Sequence, residues 1–404
     1  MHTAPGALLD PATLADPYPF LQWCREHEPV FRVDGTSLYL VTTWDLVLDA
    51  LTRIDDFSSN LNALVYTDDE GRPGLFDMTS LGANTQTLAT ADPPAHPLHR
   101  RAVFPNLVER KMAALESFAT DAAHRLLATG VVDERLDVPT KYANRLPMTV
   151  LTEVMGFPES DIDALIAYAF DGTQLISGTN TLAEMARLSE RTAEAMTLLT
   201  RWLAEVPPDP EAGVLGAVAR GLADGVLTHD EAIGTLVILL SAGGESTASL
   251  IGNCIRILAE DDALEAQLRA DRSSIERFVE EVLRLETPFR GHFRTVRRGA
   301  ALGDVELVPG DTLFLMWSSA NRDQRYYEDA DQLRLDREHP RDHLGFGRGI
   351  HHCVGAPLAR REARVAIDAL LDVSTDIELD PSVAPVYVPS IAVRRHDTLA
   401  ITLG

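Results

Sequence analysis

Positions 232–258 form the longest apolar stretch of the chain, interrupted by Gly243, Gly244 and Glu245. The stretch keeps a helical period, but no uninterrupted run reaches the roughly 20 apolar residues that a bilayer span needs. A helix apolar on every side has to be covered by other elements, so the segment predicts a buried helix within a largely helical protein. With 404 residues, 45% apolar and 24% charged, the chain can cover it and form a large core.

Further helical patterns run over 107–129, 161–173, 182–205, 229–258, 273–285 and 355–371. Strand-like runs occupy 30–33 and 37–41. Two more short apolar pieces lie between 301 and 314, separated by the turn signal Pro309-Gly310-Asp311. The fold class expected is mainly α with small β-sheets. No repeat, low-complexity tract or linker divides the chain, so 1–404 reads as one large domain. The stretch 60–91 is polar, glycine-bearing and without sustained period, which predicts a long loop, a length that usually carries function.

The N-terminal MHTAPGALLDPATLADPYPF lacks the basic start and apolar block of a secretory signal, so a cytoplasmic protein with no membrane association is expected. Cys24, Cys254 and Cys353 are odd in number and far apart, which fits reduced thiols and gives no paired zinc spacing. A net charge of -25, from 61 acidic and 36 basic side chains, repels nucleic acid and anionic lipid. Against that field the cluster Arg341, Arg348, Arg360, Arg361 and Arg364 around Cys353 stands out.

The segment from His343 to Pro357 carries the strongest chemical signal: glycines at 345, 347, 349 and 355 surround one cysteine just before a helix. Glycines let a loop press its backbone against a flat ligand. Pro357 suits the first turn of the helix that follows, and a cysteine at a helix N-terminus is favoured as thiolate by free N–H groups and the dipole. Thiolate is the ligand that pushes electron density onto haem iron and promotes O–O cleavage. The pattern Phe346-Gly347-x-Gly349-x-His351-x-Cys353-x-Gly355 resembles the haem-binding loop of the cytochrome P450 family. The resemblance implies haem b (iron protoporphyrin IX) as cofactor and Cys353 as its metal ligand.

Three further motifs match the family in order and spacing. Glu281 and Arg284 sit at i and i+3 on one helix face, near enough to pair. They resemble the family's structural Glu-x-x-Arg, which ties to a downstream arginine, here Arg337. The run Asp92 to Arg100 resembles the helix that offers a histidine and an arginine to the haem propionates, implying His96 and Arg100; Arg294 and His351 match the other propionate positions. Within the central helix, Ala242-Gly243-Gly244-Glu245-Ser246-Thr247 places two glycines, an acid and two hydroxyls where each is costly. It is similar to the family's Ala-Gly-x-(Asp/Glu)-Thr, whose helix opens beside the haem to admit dioxygen and water. Glu245 is the implied proton conduit, with Ser246 where threonine is usual and Thr247 beyond it. Serine keeps the hydroxyl but gains rotamer freedom, which loosens the coupling of oxygen use to product.

By resemblance the substrate pocket draws on the loop 61–88, on 164–185, 238–242, 288–293 and 390–393. Phe76, Met78, Leu236, Leu239, Phe289 and Ile391 form the expected apolar lining, and Arg290 and His292 are candidates for a polar or acidic substrate group. No flavin or iron–sulfur segment is evident, so a ferredoxin and its reductase are the expected electron source. Arg101, Arg110, Lys111 and the arginines near Cys353 are the expected docking face. The reading is a monomeric monooxygenase that inserts one atom of O2 into a small organic substrate, hydroxylation being favoured over phenol coupling or desaturation. A haem-thiolate sensor without turnover is the contrasting class, and a sensor has no need of the acid and hydroxyls in the central helix.

Overall fold

The computed structural model describes residues 7–81, 85–158 and 161–404. Its helices are α1 (Pro11–Ala15), α2 (Tyr18–His27), α3 (Trp44–Thr52), α4 (Ala95–Val103), α5 (Glu109–Ala114) and α6 (Glu116–Gly130). They continue through α7 (Arg145–Met155), α8 (Ile162–Gln174), α9 (Leu182–Glu205), α10 (Gly213–Ala223) and α11 (His229–Leu258). The last four are α12 (Asp262–Ala270), α13 (Ile275–Leu285), α14 (Trp317–Ala320) and α15 (Ala356–Val373).

The expected central helix is α11, thirty residues long and flanked by α7, α8, α9, α10, α13 and α15. It is long and apolar enough by composition to cross a membrane, yet its middle is core: Leu236, Leu240, Leu250, Ile251 and Ile255 are at most 2% exposed. Thr228 caps it, and its hydroxyl and the Glu231 carboxylate each satisfy the other's backbone N–H. The same reciprocal cap at Thr181 and Glu184 starts α9. Contrary to the opening that the family resemblance implies, α11 runs as α-helix without a break through Gly243 and Gly244. Both glycines lie close against α7: a Cβ on Gly244 would lie 2.6 Å from Met148 Cε and one on Gly243 3.3 Å from Leu151, so a larger residue would displace those side chains.

A five-stranded sheet supports one end of the cavity, in the order β1 (Val30–Arg32), β2 (Leu38–Val41), β10 (Thr312–Leu315), β7 (His292–Val296) and β3 (Phe57–Ser58). Antiparallel pairing of β7 with β10 sets Arg294 opposite Leu313 and His292 opposite Leu315. The strand pair expected between 301 and 314 is three strands, because Gly303 turns β8 (Ala300–Leu302) back on β9 (Val305–Leu307) before β10 begins.

The expected long loop over 60–91 is instead a hairpin, β4 (Ala63–Thr67) and β5 (Pro73–Asp77), followed by short 3-10 turns at Met78–Leu81 and Leu88–Thr90. Asp68 closes its turn by accepting from the backbone N–H groups of Glu70 and Arg72. Residues 82–84 of that stretch lie outside the described residues. The expected helix 107–129 is likewise two, separated at Leu115. Beyond α8 the segment 175–181 is held on both sides. Thr67 N–H and Oγ1 donate to Asn180 O and Gly178 O at 2.8 and 2.9 Å, and Ile391 N–H donates to Ser177 O at 2.8 Å.

Candidate functional site

A cavity of about 450 Å³ lies between α11 and the cysteine loop. The loop is shaped by Gly347 and Gly349, whose φ values of 63° and 76° are left-handed and suit glycine. A Cβ on Gly347 would lie 3.4 Å from Trp317, so the loop also lies close against that ring. Cys353 N–H donates to Phe346 O at 2.9 Å, and Gly355 caps α15 with Pro357 in its first turn. The thiol is half-buried and lines the cavity. Burial raises its pKa, while the backbone N–H groups of Gly355 and Ala356 and the cations Arg100 and Arg360 act the other way. Cys24 and Cys254 lack such an array of donors and cations: burial pushes Cys24 up to about 12, and nothing offsets it at Cys254.

Around the rim stand His96, Arg100, His292, Arg294, Trp317 and His351. His96 and His351 rings lie 4.2 Å apart. Arg100 donates to His352 O at 2.8 Å, and Arg294 to Phe293 O at 2.7 Å and to His292 Nδ1 at 2.9 Å. Among the described residues neither arginine has a carboxylate within 4.0 Å, and both ring nitrogens of His351 and the indole N–H of Trp317 have no partner. Burial and the crowd of neighbouring cations depress the proton affinities. His351 is lowered to about 2 by burial and then by Arg294 and His96, His292 to about 4 by burial and Arg294, and Arg294 to about 10 by burial. Such a rim is short of negative charge. Two carboxylates would satisfy it, so a flat macrocycle with two propionates and a metal facing Cys353 fits these residues.

On the opposite wall α11 contributes Val237, Ile238, Leu239, Ser241, Ala242, Gly243, Ser246 and Thr247. Ser246 Oγ donates to Ala242 O at 2.6 Å. Glu245 does not line the cavity. One carboxylate oxygen accepts from Arg395 Nε at 2.7 Å and the other from the Thr173 hydroxyl of α8. Burial raises its pKa against the opposing pull of Arg395. Glu362, on α15, is a second buried acid and does reach the wall; its Oε1 has no partner and burial holds its pKa well above the usual range.

The substrate-pocket expectations divide. Leu239, Phe289 and His292 line the cavity, with Leu61, Leu88, Thr173, Leu175, Ile176, Thr192 and Ala392. Arg290 does not: its side chain turns away, donates to Leu14 O at 3.0 Å and is 3% exposed, so it cannot meet a substrate group there. Phe76, near the end of β5, and Met78, at the start of the 3-10 turn after it, are not on the wall, which among the described residues takes only Leu61 from the front of the 60–91 stretch and Leu88 to Thr90 from its end. Ile391 packs into the sheet-side core against Gly178, and Leu236 faces the main core.

Glu281 meets Arg284 through two 2.9 Å bonds and Arg337 through one of 2.9 Å, while the backbone N–H of Arg334 adds a fourth at 3.0 Å. Most of the expected docking cations are already paired within the chain. Arg360 meets Glu280 at 2.6 Å, Arg361 meets Glu109 at 2.5 Å and also Glu116, Arg364 meets Glu116, and Arg348 meets Asp342. Arg341 reaches Glu280 at 3.5 Å and Lys111 reaches Glu211 at 3.3 Å. Among the described residues Arg101 and Arg110 have no ion pair, and both are exposed, as is Ile350 inside the cysteine loop.

Comparison with known proteins gives the same answer from several directions. The family profile described as Cytochrome P450 matches residues 219–373. Cytochrome P450 144 of Mycobacterium tuberculosis is 38% identical over 391 residues, covering 97% of this chain and 90% of that protein. Cyclomarin C epoxidase CymV of Salinispora arenicola is 31% identical, covering 98% of this chain and all of that protein. Among solved structures, that of CYP109E1 from Bacillus megaterium in complex with testosterone superposes with a TM-score of 0.85 at 27% identity, covering 97% of this chain and 99% of that one.

Proposed function

The chain belongs to the cytochrome P450 family, and from that premise we propose that it hydroxylates a small, largely apolar organic molecule with electrons delivered by a ferredoxin and its reductase. Its class is that of a haem monooxygenase, and its cofactor is haem b. Thiolate-ligated haem, when bound, supplies the iron that activates dioxygen so that one oxygen atom enters the substrate.

The observation that carries the reading is the cavity itself: the Cys353 sulfur on one side, hydroxyl-bearing α11 on the other, and at the rim buried Arg294 and half-buried Arg100, neither with a carboxylate partner among the described residues. Arg100, Arg294, His96 and His351 would hold the propionates, and Phe346, Gly347 and Gly355 would seat the ring. Ala242 and Gly243 leave room for it on the opposite face. Ser246 and Thr247 would present hydroxyls to the reacting oxygen, and Glu245 would hold the proton they need. The apolar lining from Leu61, Leu88, Leu175, Ile176, Leu239 and Phe289 suits a substrate held by shape more than by charge. On the sulfur side, internally paired arginines leave Arg101, Arg110 and exposed Ile350 as the contact for a transient partner, and a cytoplasmic monomer suits such an exchange.

The test begins with the reduced, carbon-monoxide-bound protein, which should show a strongly red-shifted Soret band that Cys353→Ala abolishes. Small molecules are then screened for the spectral change that follows loss of water from the iron. Each hit is supplied with surrogate ferredoxin, reductase and NADPH, and a hydroxylated product at reductant-dependent oxygen uptake is expected. A normal band without oxygen uptake for any hit would overturn the proposal.

A further inference from the structure

Glu245 is separated from the cavity that a proton must reach. Adjacent residues on a helix point about 100° apart, so Ser246 faces the cavity and Glu245 faces α8. Nor is the Ser246 proton free, because it is donated to Ala242 O at 2.6 Å. Thr173 is in a different position. It is 5% exposed, is itself part of the cavity wall, and its hydroxyl bonds the Glu245 carboxylate. The preceding Gly172 makes this approach possible, since a Cβ there would lie 2.5 Å from Ser241 Oγ of α11.

We infer that Thr173 is the hydroxyl through which Glu245 exchanges protons with the cavity, a route that leaves α11 and returns through α8. The inference rests on reading Glu245 as the proton-holding acid.

The hydroxyl has one proton and more than one acceptor, because Phe170 O and Ala169 O lie at 3.1 and 3.3 Å. While Glu245 is ionised, the hydroxyl donates to it. Once Glu245 is protonated, its O–H donates to Thr173 Oγ and the hydroxyl proton is released to turn elsewhere. In the transfer the Glu245 O–H bond breaks as a new O–H bond forms on Thr173, and the original Thr173 proton passes to an oxygen acceptor in the cavity. One proton has moved, no electron has, and Glu245 is left as carboxylate beside Arg395. Arg395 cannot surrender a proton of its own. Its side chain is 13% exposed, however, so water can reach the pair and restore the acid.

Four variants test this: Thr173→Val, which keeps the shape and loses the hydroxyl, Thr173→Ser, which keeps the hydroxyl, Ser246→Ala and Glu245→Gln. Infrared difference spectra of the haem-loaded protein across a pH series follow the protonated carboxyl band that Glu245→Gln removes. In Thr173→Val its midpoint should rise by about one pH unit, because the carboxylate loses a donor. Product formed per reductant should fall about tenfold in Thr173→Val, with hydrogen peroxide released in its place, and return to within about twofold of the parent in Thr173→Ser. Ser246→Ala should lose less. An unmoved carboxyl midpoint, a normal product yield in Thr173→Val, or a larger loss in Ser246→Ala overturns the inference. If Glu245→Gln also couples normally, the acid itself has been misassigned; if Glu245→Gln is impaired while Thr173→Val is normal, the route through Thr173 alone is wrong.

Discussion

The arginines around Glu281 and Glu286 and those at the cavity rim have contrasting surroundings. Around Glu281 the charges close on themselves: Arg284 and Arg337 share one carboxylate, and the remaining Arg284 donors meet Asn321 O, Ala330 O and Gln332 O. Around Glu286 the pattern repeats, with Arg394 at 3.0 Å, Arg256 at 3.4 Å, Arg322 at 3.6 Å and the Tyr18 hydroxyl at 2.8 Å. At the cavity rim, by contrast, Arg100 and Arg294 have only carbonyl and imidazole partners. A closed cluster serves the fold, since every desolvated guanidinium touches a carboxylate within the chain. The open rim suits a ligand that brings its own carboxylates. Its uncompensated charge costs the empty protein free energy that a dianionic ligand returns.

The contrast can be broken most forcefully at Glu281. Glu281→Leu strands two arginines and should cost about 3–5 kcal/mol, equally with and without haem, in urea denaturation. A loss confined to the haem-loaded protein would place Glu281 in the open class.

Glu286 gives the next largest effect, read through pH. Burial works against its ionisation, yet Arg394, Arg322 and Arg256 prevail and lower the carboxyl to about 2. A folded value below the unfolded one, about 4.3, means that the stabilisation is complete above that unfolded value and disappears as pH falls toward 2. Roughly 3 kcal/mol should be lost across this window and recovered on return. Glu286→Gln should be less stable at pH 7 and flatter below pH 4.5.

Arg294→Leu should behave oppositely in the two states. The haem-free protein, relieved of a buried cation, should unfold at equal or higher urea. The loaded protein should release haem to an acceptor globin about 10–100 times faster, a loss of about 1.5–3 kcal/mol. Equal destabilisation of both states would put Arg294 among the closed clusters. The smallest change is expected where the partners are open to solvent: Arg361→Ala removes pairs with exposed Glu109 and part-exposed Glu116 and should shift stability by about 1 kcal/mol.

What the sequence made legible was what local rules control. Segments 182–205 and 229–258 are helices with those bounds because a period of 3.6 and a reciprocal Thr/Glu cap agree at each start. The pair Glu281–Arg284 was visible as an i, i+3 spacing, and its third member, Arg337, through the resemblance. The hairpin at 63–77 is not legible, although Ala-Leu-Val-Tyr-Thr has strand character, because the polar Asp68 to Arg72 turn dominates the composition of the stretch. Side-chain direction was hidden altogether. Nothing local says that Arg290 turns toward Leu14, 276 positions away, or that Glu245 points across to α8 while its neighbour faces the cavity. Trp317, Thr173 and Thr192 carry no motif, and only tertiary packing brings them to the wall.

The segment 175–181 is laced to the hairpin through Thr67 and to the C-terminal region through Ile391, while its own Leu175 and Ile176, with Leu61 and Ala392 from the stretches it is laced to, border the cavity. Three stretches more than a hundred positions apart therefore make one seam above the chamber. Bonds on both flanks tie this part of the wall to the hairpin and to the C-terminal region at once, so a change in any one of the three stretches is felt by the residues that border the chamber.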